Sequence, residues 1–205
     1  MSIWVIIPVK PLNRAKSRLS GVLSPAERQQ LAEKMFRGVL EVVRTVPQVL
    51  GTLVISRDGR ALAIARDYGA RTVQESGNPE LNAALMRATQ VVARWHGSAV
   101  LILPADLPLL AGEDITGMIE MAGHGERSVV IATDQHQDGT NAMLVRPPGL
   151  IEYAYGHGSY QRHVDLARLA GATVQTFHSP RVSLDIDVPD DLKSYHELIG
   201  GYELS

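Results

Sequence analysis

The sequence predicts an α/β protein, a three-layer α/β/α sandwich with a mostly parallel sheet. Short runs of apolar and β-branched residues alternate along the chain with longer segments of helical periodicity. Of the 205 residues, 45% are hydrophobic, which is enough for one buried core, and no Pro/Gly-rich linker divides them. We therefore predict one domain over residues 1–205.

The predicted strands start almost at the amino terminus and recur to near the end of the chain. They span 3–9, 50–56, 71–74, 99–103, 128–133, 142–146 and 173–178. The first helix is predicted to begin at Pro25, with Ser24 as N-cap and Glu27 completing a capping box, and to end near Val46. Further helices are predicted over 61–68, from the Asn78-Pro79 pair to Gly97, from Ser159 as N-cap to Gly171, and after Pro189. This alternation is typical of a largely parallel sheet.

The composition excludes several classes of protein. Twenty Lys and Arg residues oppose 22 Asp and Glu residues, giving a net charge of -2, which argues against nucleic acid or a membrane surface as partner. The absence of cysteine excludes disulfides, thiolate nucleophiles and Cys-ligated zinc. The apolar stretch 3–7 is far shorter than the ~20 residues of a membrane span, so we predict a cytoplasmic protein. The sequence leaves open whether the chain forms a homodimer.

Four cations follow the first predicted strand, namely Lys10, Arg14, Lys16 and Arg18, and no acid precedes Glu27. The carboxyl edge of an α/β sheet is where such folds bind their ligands, and the end of the first strand delivers these cations there. The loop therefore predicts a polyanion, most simply a set of phosphates. The alternative is an ordinary solvated basic loop.

Acidic residues follow two other predicted elements. Asp106 ends a buried strand between two prolines, and Asp185 and Asp187 alternate in a stretch that would place both carboxylates on one face if it is extended. Three such carboxylates suit Mg²⁺, whose coordination phosphate oxygens and water would complete. The alternatives are a turn-capping role for Asp106 and a helix start that uses Asp190 or Asp191.

Two further segments are candidates for binding an anion. Gly156 and Gly158 directly precede a helix, where backbone N–H groups and the Ser159 hydroxyl could face a phosphate; the alternative is a flexible loop with a serine cap. The turn 138–141 carries Thr140 and an asparagine that could hold an acid substrate. Of the seven histidines, only those at positions 157 and 163 are functional candidates. Walker A, G-x-G-x-x-G and G-x-S-x-G motifs are absent.

Segments 6–19, 103–108, 138–140 and 156–159 together resemble the phosphoenolpyruvate/2-phospho-L-lactate guanylyltransferases of coenzyme F420 biosynthesis. The resemblance implies a Rossmann-like nucleotidyltransferase fold and transfer of GMP from GTP to the phosphate of a small phospho-acid, with release of pyrophosphate. Phosphoenolpyruvate is the favoured acceptor, with 2-phospho-L-lactate and 3-phosphoglycerate as alternatives. Two other readings are a nucleotidyltransferase for a sugar phosphate or molybdopterin-type acceptor, and a non-catalytic nucleotide-binding module.

The resemblance also implies roles for individual residues. By similarity, the Mg²⁺ ligands are Asp106, Asp185 and Asp187; the acceptor contacts are Thr140, Gly156 and Ser159; the residues at the GTP triphosphate are Lys10, Lys16 and Arg18; and Asn82 is a nucleotide-side residue. Relatives often have glycine at the position of Glu80 and proline at that of His157.

Overall fold

The structure of the protein is a computed structural model that describes residues 2–77 and 80–202. Its sheet consists of the strands β1 (Ile3–Val9), β2 (Val49–Ser56), β3 (Arg71–Gln74), β4 (Ala99–Ile102), β5 (Ser128–Thr133), β6 (Thr140–Arg146) and β7 (Thr173–Phe177). Their order is β3-β2-β1-β4-β6-β5-β7. All neighbouring strands pair in parallel except β6, which runs antiparallel to β4 and β5.

Helices cover both faces of this sheet. They are α1 (Pro25–Arg44), α2 (Gly59–Asp67), α3 (Leu81–Arg94), α4 (Gly112–Ala122), α5 (Ser159–Leu169), α6 (Pro180–Ser183) and α7 (Pro189–Tyr202). Two short 3-10 turns, Leu12–Arg14 and Ser17–Leu19, follow β1. No helix within the described part of the chain is both long enough and apolar enough to cross a membrane.

The alternation of side chains along β1 explains the layers. Ile3, Val5 and Ile7 pack into a core with α1, α2 and α4, whereas Trp4 and Ile6 point to the other face and pack with α3 and α5. All five side chains are buried. The predicted three-layer α/β/α sandwich with a mostly parallel sheet is thus confirmed.

The first helix begins where its capping signal predicts. The Ser24 hydroxyl accepts a hydrogen bond from the backbone N–H of Glu27, and the Glu27 carboxylate accepts one from the N–H of Ser24. Helix α2 begins two residues earlier than predicted, because Asp58 accepts hydrogen bonds from the N–H groups of Arg60 and Ala61. The Asn78-Pro79 pair that was expected to open α3 lies outside the described residues.

Two helices were not predicted, and one expectation about a helix start was wrong. Helices α4 and α6 are additional to those predicted. Ser159 is not an N-cap: Gly158 occupies that position with φ 68°, and Ser159 is the first helical residue. Its hydroxyl instead accepts a hydrogen bond from the N–H of Thr140 at 2.9 Å, which ties α5 to the start of β6.

Close packing at the amino-terminal edge of the sheet depends on a glycine. The indole ring of Trp4 lies over Gly51 of β2, where a Cβ atom would be 2.7 Å from the ring. The same indole contacts Trp95 with ring centroids 4.9 Å apart. The lack of a side chain at Gly51 therefore leaves the space that the indole ring of Trp4 occupies.

We expect Gly51→Ala to lower the free energy of unfolding by about 1–3 kcal/mol, because the added methyl group overpacks a buried indole. Gly38→Ala is the matched control, since a Cβ there meets no heavy atom within 4 Å and the position is helical. This control should match or slightly exceed wild-type stability. Urea unfolding measures both, and equal stability of the two variants would contradict the packing argument.

Candidate functional site

The carboxyl ends of the parallel strands β1 to β4 open onto a cavity of about 400 Å³. Cations line it after β1, where Lys10, Arg14 and Lys16 lie, and Asp106 lines it after β4. Asp187 reaches the same cavity from the segment before α7. The topology therefore brings the predicted phosphate loop and two of the predicted carboxylates together.

The loop after β1 is held in place by hydrogen bonds to its backbone. The Asp58 carboxylate accepts one from the N–H of Leu12 at 2.7 Å, and the Ser56 hydroxyl donates one to the carbonyl of Val9 at 2.7 Å. Leu12 and Leu19 are buried and anchor the loop on either side of Lys16. The position of Lys16 is thus set by packing at both ends of the loop.

Lys16 is the buried cation of this site. Its Nζ atom lies 2.5 Å from Oδ2 of Asp106 and 3.0 Å from Oδ1 of Asp187, and its side chain is only 5% exposed. Burial alone would lower the pKa of this ammonium, but the charges of Asp106 and Asp187 outweigh burial and raise the pKa. Lys16 is therefore charged at neutral pH. It neutralises part of the negative charge of the carboxylate cluster, which consists of Asp106, Asp185 and Asp187.

The two aspartates before α7 have pKa values shifted in opposite directions. Burial, reinforced by the charges of Asp106 and Asp187, raises the pKa of Asp185 to about 6. Burial also acts to raise the pKa of Asp187, but the charge and hydrogen bond of Lys16 outweigh it and lower that pKa. The predicted helix-start role falls to Asp191, whose carboxylate accepts hydrogen bonds from two backbone N–H groups at 2.8 Å. The carboxylates of Asp185 and Asp187 therefore do not cap the helix and remain part of the cluster.

The other cations of the opening loop are more exposed. Arg18 is 73% exposed on its side chain, and its Nη1 atom lies 3.6 Å from Oδ2 of Asp187. The charges of Arg18 and Lys10 both contribute to lowering the pKa of Asp187. Arg57, which the sequence analysis did not single out, also lines the cavity.

Two further residues hold in place the segment before α7 that carries Asp185 and Asp187. The sequence analysis did not give them this role. The Asn141 amide donates to the carbonyl of Val182 at 2.9 Å and to Oδ1 of Asp185 at 3.4 Å. Asp114, buried in α4, accepts hydrogen bonds from Ser179 at 2.7 Å and from Arg181 at 2.8 and 3.0 Å. Asp114 also accepts a hydrogen bond from the N–H of Ala111 at 2.9 Å, which is only half of a capping box because alanine has no side-chain acceptor.

The carboxylate cluster has the chemistry of a divalent cation site but not a complete set of metal ligands. Within residues 2–77 and 80–202, no three acidic or histidine side chains are arranged to hold a metal ion. The ammonium of Lys16 lies between Asp106 and Asp187 instead. Burial and the neighbouring charges of Asp106 and Asp187 together outweigh the charge of Lys16 and raise the pKa of Asp185. Oxygen-only donors with uncompensated charge fit Mg²⁺ bound together with phosphate oxygens and water.

A second group of predicted residues meets at the junction of β6 and α5. Because β6 runs antiparallel, its first residue, Thr140, lies at the same edge at which the parallel strands end. Ser159 and His163 of α5 contact Thr140, and all three side chains are buried. Asn141, the next residue of β6, contacts Asp185, so the two predicted clusters are joined through one strand.

Both glycines of the loop before α5 have a positive φ angle. Gly156 has φ 129° and Gly158 has φ 68°. The Asp138 carboxylate accepts a hydrogen bond from the N–H of Gly158 at 3.0 Å and contacts Nδ1 of His157 at 2.9 Å. The His157 side chain is almost fully exposed. Arg162 donates hydrogen bonds to carbonyl groups of the preceding segment and so braces the loop.

Asn82 connects α3 to this loop. Its amide oxygen accepts a hydrogen bond from the N–H of Tyr155 at 2.8 Å, and its amide nitrogen donates to the carbonyl of Tyr155 at 3.3 Å. The structure therefore places Asn82 against the backbone just before Gly156.

The fold is shared with a solved structure described as a nucleotidyl transferase from Methanothermobacter thermautotrophicus, which superposes with a TM-score of 0.73 and 14% identity and covers 96% of each chain. A solved structure described as a putative nucleotide-diphospho-sugar transferase from Desulfovibrio desulfuricans superposes with a TM-score of 0.75 and 16% identity, covering 95% of this chain and 87% of that one. The family model described as "Guanylyl transferase CofC like" matches residues 3–200. The chain belongs to this CofC-like guanylyl transferase family.

Curated relatives agree over nearly the whole chain. A protein of Rubrobacter xylanophilus named phosphoenolpyruvate guanylyltransferase is 39% identical over 192 residues, covering 94% of this chain and 92% of its own length. A protein of Methanothermobacter thermautotrophicus named 2-phospho-L-lactate guanylyltransferase is 34% identical over 193 residues, covering 94% of this chain and 83% of its own.

The buried histidine at the β6–α5 junction makes stability depend on pH. Burial, with a smaller effect of the Arg162 charge, lowers the pKa of His163 from 6.5 to about 4. The unfolded chain therefore takes up a proton before the folded protein does as the pH falls. We expect His163 to contribute a loss of up to ~3 kcal/mol in the free energy of unfolding between pH 7 and pH 4.

Urea unfolding at several pH values measures this loss, with His163→Asn as the comparison because it removes the titrating ring. The variant should show a shallower decline than the wild type, whatever its stability at pH 7. Identical slopes would refute the assignment.

Proposed function

We propose that this protein is a cytoplasmic enzyme that transfers GMP from GTP to the phosphate of a small phospho-acid, with phosphoenolpyruvate as the favoured acceptor. The observation that carries the proposal is the buried Lys16, which binds Asp106 and Asp187 beside a cation-lined cavity at the carboxyl edge of the sheet. Membership of the guanylyl transferase family supports GTP as the nucleotide substrate. The curated relative with 39% identity supports phosphoenolpyruvate as acceptor.

The reaction needs no residue that removes a proton. A phosphate monoester has its second pKa near ~6, so the acceptor is largely a dianion at neutral pH. One of its oxygens forms a bond to the α-phosphorus of GTP while the bond from that phosphorus to the bridging oxygen of pyrophosphate breaks. The products are pyrophosphate and a guanosine joined to the phospho-acid through a diphosphate. Catalysis then depends on alignment and charge stabilisation.

The cations of the opening loop take the triphosphate in this proposal. Lys10 and Arg14 line the cavity and can face phosphate oxygens, and Arg18 lies beside Asp187. Asp106, Asp185 and Asp187 would hold Mg²⁺, which supplies positive charge to the α-phosphate and to the leaving pyrophosphate. Lys16 keeps Asp106 and Asp187 together before the substrates bind.

The phospho-acid binds between β6 and α5 in this proposal. Thr140, Gly156 and Ser159 are adjacent there, next to the strand residue that contacts Asp185. Two hydroxyl groups and a glycine backbone can donate hydrogen bonds to an acid with phosphate and carboxylate oxygens. Asn82 holds the preceding backbone and so positions the loop.

The proposal predicts pyrophosphate release from GTP and Mg²⁺ in the presence of phosphoenolpyruvate, and mass spectrometry should detect the guanosine diphosphate-linked product. 2-Phospho-L-lactate and 3-phosphoglycerate are assayed in parallel, with ATP in place of GTP as the nucleotide control. Turnover with a sugar 1-phosphate alone would reassign the acceptor. GTP binding without pyrophosphate release from any acceptor would overturn the enzymatic proposal.

Asp106→Asn tests the carboxylate cluster. We expect at least about a hundredfold loss of kcat, because a group that stabilises transition-state charge is removed. The melting temperature should change little, since Lys16 retains Asp187 as its partner. Asp67→Asn replaces an exposed acid at the end of α2 and serves as the control. Near wild-type turnover by Asp106→Asn would remove Asp106 from the site.

A further inference from the structure

A buried histidine is hydrogen-bonded to one of the two hydroxyl groups that meet at the β6–α5 junction. His163 lies one helical turn after Ser159 and is fully buried. Its Nδ1 atom is 2.9 Å from Oγ1 of Thr140, and its Nε2 atom is 2.9 Å from the backbone nitrogen of Ala154. Both ring nitrogens therefore have a partner.

These partners determine which ring nitrogen carries the proton. The N–H of Ala154 can only donate, so Nε2 of His163 must accept and carries no hydrogen. In the neutral imidazole the proton is then on Nδ1, which donates to the Thr140 hydroxyl oxygen. A charged imidazolium would place two donors against each other at Ala154.

The same geometry leaves both hydroxyl hydrogens for a ligand. Thr140 Oγ1 accepts from His163, and Ser159 Oγ accepts from the N–H of Thr140. Each oxygen thus already receives a hydrogen bond from a fixed N–H group, and its own hydrogen is directed elsewhere. Two hydroxyls that act as donors match a ligand whose oxygens carry only lone pairs, as carboxylate and ionised phosphate do.

We propose that His163 is a positioning residue of the acceptor site, which fixes the Thr140 hydroxyl as a hydrogen-bond donor to the anionic phospho-acid. This inference rests on the proposed function, because it takes the β6–α5 junction as the acceptor site. With the opposite tautomer, Thr140 would have to donate to the ring, and its oxygen lone pairs would face the negatively charged ligand. His163 therefore acts through Thr140 and does not itself touch the substrate.

A purely structural role is the competing explanation, because His163 also joins α5 to the Ala154 backbone and packs its ring against Tyr155. Two substitutions separate these roles. His163→Asn places an amide nitrogen near the position of Nδ1, which retains the donor to Thr140 and loses the acceptor for Ala154. His163→Gln reaches the position of Nε2, which retains that acceptor and loses the donor to Thr140.

The test is steady-state kinetics with the phospho-acid that the wild type uses, with each substrate varied in turn. We expect His163→Gln to raise KM for the phospho-acid about tenfold or more while KM for GTP stays unchanged, since one hydrogen bond to a charged group is lost. His163→Asn should raise it much less. His124→Gln, at an exposed histidine beyond α4, is the control. Equal effects of both variants on both KM values would overturn the positioning role.

A second measurement remains informative whether or not the variants fold and whether or not the proposed function is correct. The ¹⁵N chemical shifts of the histidine rings in the wild-type protein report which nitrogen carries the proton. We expect His163 to be neutral at pH 7 with its proton on Nδ1. A proton on Nε2 would refute the inference while leaving guanylyl transfer intact. Absence of turnover in the wild type would instead refute the proposed function.

Discussion

The arrangement of the whole carboxyl edge depends on one buried cation, the ammonium of Lys16. It binds carboxylates from two distant parts of the chain, Asp106 after β4 and Asp187 before α7. Without it these acids would repel one another in a partly buried site, and a cation in that position offsets the cost. Burial, together with the charges of Asp106 and Asp187, outweighs the opposing charge of Lys16 and raises the pKa of Asp185 to about 6. A cluster of three carboxylates around one ammonium is suited to a metal ion that arrives with an anionic nucleotide and takes the place of the Lys16 ammonium.

The sheet topology explains why the nucleotide and acceptor groups can lie close together. Strand β6 enters the sheet antiparallel between β4 and β5, so its first residues lie where the parallel strands end. Thr140 then contacts α5, and Asn141 contacts the segment that carries Asp185. Successive residues of a strand point to opposite faces, which allows this one strand to serve both clusters. An all-parallel sheet would place these residues at the opposite edge.

Local signals were sufficient to predict most of the fold. The capping box at Ser24 and the apolar runs of the strands were readable because they depend on neighbours in sequence. Helix α4 was not predicted, since it follows an alanine and begins at a glycine, with Asp114 as its capping acid. The carboxylates could be singled out from sequence, but the pairing of Lys16 with Asp187 could not, because it depends on how the chain returns to the sheet. The hydrogen bonds of His163 could not be predicted from the sequence for the same reason.

The most direct test of this account is a crystal structure with Mg²⁺ and a GTP analogue that cannot be cleaved between its α- and β-phosphates. The account predicts that the triphosphate lies beside Lys10 and Arg14 in the cavity after β1. It also predicts that a metal ion contacts Asp106 and the aspartates before α7, and that the ammonium of Lys16 has left the position between Asp106 and Asp187. A nucleotide bound at another edge of the sheet, or a bound nucleotide with Lys16 still bridging these carboxylates and no metal beside them, would contradict it.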